Sequence, residues 1–135
     1  NMTAETVIKE VEKHIDILER MEAPPEDLVK KKKVSKNLDA YQVENRSVSA
    51  LKRSKHNGID VKPGQSVKFL IRDDDADPMD RTRLYFEADY GDYDPDFYKT
   101  QLIRAAESIL SPLGLDREDI KRRLNGRNTK INNYA

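Results

Sequence analysis

The chain has no cysteine. That excludes a disulfide framework and thiolate metal ligation, and it suits a reducing, cytoplasmic setting. No apolar run is long enough to span a bilayer, and no charged-then-apolar leader of the signal-peptide kind is visible, so no membrane partner is expected. There is no glycine-rich phosphate loop and no serine in a nucleophile elbow. The two histidines, His14 and His56, stand alone without a ligand set for zinc. Net charge is also absent: 25 Lys and Arg balance 25 Asp and Glu. These absences make the chain a poor candidate for an enzyme in its own right. What it does have is 135 residues, enough for one domain with a modest core. Although 37% of the residues are charged, the apolar ones recur at regular spacing, which predicts a folded domain.

The zero net charge hides segregation. Residues 1–27 carry eight acids and three bases, residues 28–68 three acids and eleven bases, and residues 69–98 ten acids and three bases. A basic block of this kind is the footprint of a polyanion partner. The alternative is an ordinary solvated surface, which is what most charge runs are.

Thr3 is placed to cap a first helix whose stripe is Val7, Val11, Ile15 and Leu18, and Pro24-Pro25 ends it. The segment "DLVKKKKV" (27–34) reads as an exposed edge strand, where lysines also discourage strand-to-strand aggregation. "SKNLDAY" (35–41) reads as a helical turn capped by Ser35. A basic helix follows from about Ser47 to Asn57, with Gly58 just past its end and a Pro63-Gly64 turn beyond. "SVKFLI" (66–71) and "LYFEA" (84–88) read as strands around an acidic loop, 72–83. Asp94-Pro95 predicts the start of the main core helix, with Phe97, Leu102, Ala105, Ala106, Ile109, Leu110 and Leu113 as its apolar face. Asp116 caps a last helix, stapled by Leu115 and Ile120 and stopped by Gly126.

Three places invite a functional reading. The acids Asp73, Asp74, Asp75, Asp77 and Asp80 are hard-cation donors, but the loop lacks the glycine and terminal glutamate of a calcium loop. "DYGDYDP" (89–95) looks like the Tyr-Gly-Asp-Thr-Asp hairpin that holds metal ions in family B DNA polymerases. That hairpin needs apolar strands on both sides, whereas Asp94 here runs into Pro95 and a helix, so Asp94 reads as a cap and Asp92 as a loop residue. The third is the basic helix. Asn45, Arg46, Ser47 and Ser49 stand at its N-terminus, where free N–H groups and partial positive charge suit a phosphate. Lys52, Arg53 and Lys55 continue its basic character, and Lys62 follows. Phosphate contacts of this kind position a duplex without reading its bases; a capped surface helix explains the same residues equally well.

The order of these signals resembles the thumb, the C-terminal subdomain, of archaeal-type family B DNA polymerases. The resemblance runs over about residues 7 to 124 and rests on "VIKEVEKHIDILERMEAPPEDLV", "VSKNLDAYQ", "SVSALKRSKHNGIDVKPGQSV" and "YDPDFYKTQLIRAAESILSPLG". Its most specific part is carried by Lys52, Arg53, Gly58, Pro63 and Gly64; Ser47 stands where the family usually has histidine. The resemblance implies an α+β fold with helices packed around a small antiparallel sheet. It implies a thumb-like domain over residues 1–126; past the Gly126 stop, the terminal residues 127–135 read as a mobile basic tail. It implies that the chain grips primer–template duplex DNA and supports processivity, through Lys36, Asn45, Arg46, Ser47, Lys52, Arg53, Lys55 and Lys62. Palm and fingers, with the palm's divalent metal, would be supplied in cis or by a separate subunit, leaving no catalytic residue, metal or cofactor in this chain. The tail spacing Asn128, Ile131 and Tyr134 is faintly similar to a sliding-clamp-binding peptide, with Asn for the usual Gln and Ala for the second aromatic. The alternatives are a protein-interaction module and an accessory subunit of a split polymerase.

Overall fold

The computed structural model describes residues 3–125. They form an α+β chain that divides into two compact units, one made of residues 3–20 and 95–125, the other of residues 21–94.

The first unit is helical. Helix α1 (Ala4–Glu19) begins where the sequence predicts, with the Thr3 hydroxyl accepting the Thr6 N–H at 3.2 Å. Helix α5 (Pro95–Leu110) opens on Pro95, whose fixed φ and missing N–H suit the first helical position. Helix α6 (Arg117–Asn125) is capped reciprocally: Asp116 accepts from the Asp119 N–H at 2.9 Å and Asp119 from the Asp116 N–H at 3.0 Å. The core joins Val7, Ile8, Val11 and Ile15 of α1 to Ile103, Ala106 and Leu110 of α5 and Ile120 and Leu124 of α6. Leu115 packs against this cluster, as the staple predicts. The expected apolar face of α5 needs one correction. Ile103 is buried, whereas Ala105 is exposed, Ile109 is 54% exposed, and Leu113, 56% exposed, lies past the helix in the 3-10 turn Ser111–Leu113. A 3.6-residue period admits only one stripe, and the residues in step with Phe97 and Leu110 fill it. Lys99 is buried between Glu19, at 3.9 Å, and Asp96, at 3.3 Å.

The second unit is a three-stranded antiparallel sheet in the order β1-β2-β3, with β1 at Lys30–Lys33, β2 at Ser66–Ile71 and β3 at Thr82–Leu84. A short helix α2 (Pro25–Leu28) leads into β1. Helix α3 (Arg46–His56) packs on β2, β3 and the one-turn helix α4 (Pro78–Arg81) through Val48, Ala50 and Leu51. The expected strand 84–88 is displaced: β3 ends at Leu84 and residues 85–87 wind into a 3-10 turn. The cause is Glu87, whose carboxylate reaches back to the Leu84 N–H at 2.7 Å and bends the chain there. Ser35 does not cap the following turn either. Its N–H goes to the Tyr41 hydroxyl at 3.2 Å, and the 3-10 turn covers Leu38–Ala40. The turns after α3 form as predicted. Gly58, at φ 81°, closes the helix with its N–H on Lys55 O at 2.9 Å, and Gly64, at φ 91°, makes the turn into β2. Tyr93 ties the two ends of this unit, its hydroxyl accepting the Ala23 N–H at 3.5 Å.

Candidate nucleic-acid interface

Helix α3 starts one residue earlier than expected, because Asn45 is its cap. The Asn45 carboxamide oxygen accepts the Val48 N–H at 2.9 Å, which satisfies one of the first-turn N–H groups. Beside this helix start lies the lysine strand. Lys30, Lys31 and Lys32 line one cleft of about 440 Å³ together with Asn45, Arg46 and Ser47, with Phe69 as its apolar base. An adjoining cleft of about 180 Å³ shares Lys32, Asn45 and Ser47 and adds Lys33, Ser35 and Tyr41. Neither lining contains a carboxylate. All four β1 lysines are exposed, and Lys31, Lys32 and Lys33 form no ion pair among the described residues. Reading β1 only as a protected edge missed these lysines; the run of four was itself the available signal.

The other expected contact residues are distributed unevenly. Lys36 is exposed and lies over the Tyr41 ring, 5.5 Å from its centre, at the border of the smaller cleft. Lys52 is paired with Glu44, which also accepts from the buried Ser49 hydroxyl at 3.2 Å. Lys55 is exposed on the last turn of α3. Lys62 pairs with Asp60 at 2.6 Å, two residues away. Neither cleft includes Lys52, Lys55 or Lys62.

The two arginines are held by carboxylates. Arg46 makes a two-pronged bond to Asp74, 2.8 Å on each arm, and Asp74 also accepts from Arg81 at 3.2 Å. These partners hold the Asp74 carboxyl below its usual range, the Arg46 hydrogen bond being the main cause, against the opposing effect of burial. Arg53 is only 15% exposed. Its Nε and Nη2 bind Glu87 at 2.5 and 2.9 Å, and its Nη1 donates to the Met79 carbonyl at 2.7 Å. Burial alone would push the Glu87 carboxyl up; the bonds from Arg53 and the Leu84 N–H outweigh it and lower it. Arg53 thus ties α3 to the segments on either side of β3.

The acidic loop is therefore an arginine partner. Among the described residues no group of three or more His, Asp or Glu is gathered as a metal site. In "DYGDYDP" the Asp92 carboxylate accepts the Asp89 N–H at 3.3 Å within a turn, and Asp94 accepts the Asp74 N–H at 2.9 Å. Asn128, Ile131 and Tyr134 lie outside the described residues. No described helix is long and apolar enough to cross a membrane.

No family model matches the chain. It is 31% identical over 129 residues to a DNA polymerase of Thermococcus aggregans, covering 87% of this chain and 7% of that protein. It is 30% identical over 118 residues to a DNA polymerase of Desulfurococcus sp. (strain Tok), covering 85% of this chain and 15% of that one. The chain thus spans only a small part of these relatives. In three dimensions it is similar to the family B DNA polymerase of the archaeon Pyrobaculum calidifontis, with a TM-score of 0.64 and 29% identity over 76% of this chain and 14% of that one. Sequence and fold agree, and the chain is a homologue of one segment of the archaeal family B DNA polymerases.

Proposed function

We propose that the chain is the thumb portion of such a polymerase, with residues 1–126 as the thumb-like domain, and that it grips primer–template duplex by sequence-independent phosphate contacts. The observation that carries this reading is the carboxylate-free cleft in which Lys30, Lys31 and Lys32 face Asn45, Arg46 and Ser47. Duplex DNA offers two rails of phosphates, and a lysine row beside a helix N-terminus suits one of them. Lys36 and Lys52 extend the basic surface. Arg53 serves by fixing the position of α3, because its donors are already directed to Glu87 and Met79. Polymerisation belongs to palm and fingers segments with which this one would act in cis or as a subunit, in the cytoplasm.

The test is a titration of a fluorescent duplex with the full chain at several salt concentrations. Affinity should fall along a log–log line with a slope of about −0.9 for each phosphate neutralised. Two duplexes of unrelated sequence should bind alike. A salt-independent interaction would remove phosphate gripping and favour docking on a protein partner.

A further inference from the structure

A second groove in the sheet unit is not accounted for by duplex gripping. It has a volume of about 370 Å³ and runs beside the β1–β2 pair. Its apolar part is built from Ile59, Val61, Tyr85 and Phe86; its charged part is Lys31 and Lys68. Two features set it apart from a gap between side chains.

The first is the exposure of its rings. Phe86 is 69% and Tyr85 37% exposed, and Ile59 beside them is 45% exposed. The 3-10 turn at 85–87 presents these rings because Glu87 is drawn inward to Arg53 and the Leu84 N–H. Holding large apolar faces in water is unfavourable and leaves them open to a flat ligand. The second is the register. Lys31 and Lys68 stand directly opposite each other across the antiparallel pair. Like charges in that relation repel. Neither lysine forms an ion pair among the described residues, and no carboxylate lines the groove. An anion between the two ammonium groups would relieve the repulsion.

Exposed rings next to an unneutralised pair of cations call for a ligand with a flat face and a negative charge a short distance from it. An unpaired nucleotide has both. Its base stacks on an aromatic side chain whatever its identity, and its phosphate meets the lysines. An apolar peptide would satisfy the rings and leave the lysine pair opposed. A duplex would satisfy the lysines and leave the rings bare, because its bases are stacked inside. We infer that this groove binds single-stranded nucleic acid, with bases on Phe86 and Tyr85 and the backbone between Lys31 and Lys68. Lys31 lines this groove and the duplex cleft alike, so a strand leaving a frayed end has a charged route from one to the other. The inference does not depend on the duplex reading, since it rests on the rings and the opposed lysines.

The experiment is a fluorescence-anisotropy titration of the full chain with a short labelled oligo(dT) and, separately, with a blunt duplex. Phe86→Ala should weaken oligo(dT) binding roughly five- to a hundred-fold, the range for loss of one base–aromatic stack, and leave duplex binding unchanged. Phe86→Trp should retain binding, and its fluorescence should be quenched as oligo(dT) is added. Lys68→Gln should reduce the salt dependence of oligo(dT) binding. Phe86 is mostly exposed, so these variants keep the fold, and circular dichroism checks that they do. The inference is overturned if the parent chain does not bind oligo(dT), or if Phe86→Ala binds it as the parent does. Equal weakening of oligo(dT) and duplex would also overturn it, by showing a single shared site. Because duplex binding is measured in parallel, failure here is distinguishable from failure of the thumb reading.

Discussion

At the scale of single residues, the carboxylates decide which cations are available. Glu44 holds Lys52 and the Ser49 hydroxyl together. Replacing it with glutamine removes the charge opposing Lys52 while keeping an acceptor for Ser49. Glu44→Gln should therefore tighten duplex binding several-fold at low salt and steepen the salt dependence, measured in the same titration. Arg53 should behave differently. Its fork is mostly buried, and its loss leaves the Glu87 carboxylate and the Met79 carbonyl without their donor. Arg53→Ala should cost about 2–3 kcal/mol of stability in urea unfolding, less than the ~3–5 expected for a fully buried pair. The pH dependence has a definite sign. The Glu87 carboxyl is lowered in the folded state. Its contribution is complete above the ordinary carboxylate range and is lost as pH falls through the folded value. Glu87→Gln should thus lose stability at neutral pH and show a flatter acid limb below about pH 4.

Elements turn these residues into surfaces. Strand β1 is four consecutive lysines with all side chains exposed, so it contributes nothing to the core through them. What it contributes is a charged edge held at a fixed register against β2, with Lys30 opposite Phe69 and Lys32 opposite Val67. A variant with Lys30, Lys31, Lys32 and Lys33 all changed to glutamine should fold, with stability within about 0.5 kcal/mol for exposed sites. It should lose most of the salt-dependent duplex affinity. Retention of the parent slope would show that β1 is only a guarded edge. Helix α3 is set by its two ends, the Asn45 cap and the Gly58 stop. Gly58 has open space around its α-carbon, so Gly58→Ala should cost only the strain of a side chain at positive φ, about 1–2 kcal/mol.

For the whole molecule, the division of labour follows composition. The helical unit is built on an aliphatic core of α1, α5 and α6, and the sheet unit on its own apolar residues, Val67, Phe69, Leu70 and Ile71 among them. Ile15→Ala in the helical core should cost about 2–5 kcal/mol in denaturant unfolding. The sheet unit carries the charged and exposed features: the β1 lysines, the arginine–carboxylate pairs and the exposed rings. The acid-rich stretch 69–98 offsets the basic stretch 28–68 in the total charge, and Asp74 and Glu87 do so through direct bonds to Arg46 and Arg53. Lys31, Lys32 and Lys33 form no ion pair among the described residues, which is how a chain of zero net charge presents a basic cleft.

Local chemistry was enough to read helices α1, α3, α5 and α6, the strand at 66–71 and the turns at Gly58 and Gly64, but not the one-turn helices α2 and α4, which overlap the expected strand (27–34) and loop (72–83). Caps, periodicity and positive φ act over a few residues, and α1, α3, α5 and β2 begin or end within a residue or two of where those signals stand. The same holds for the family, because motif order survives in sequence. Partner choice across the chain was not legible. That Arg53 is bound depends on Glu87, 34 positions away. That Arg46 is bound depends on Asp74, 28 positions away. Whether four lysines are a solvated edge or one wall of a cleft depends on which helix start lies beside them. Periodicity places a residue on a face of its own element; only the packing of elements brings two faces together, and the candidate site is made of such meetings.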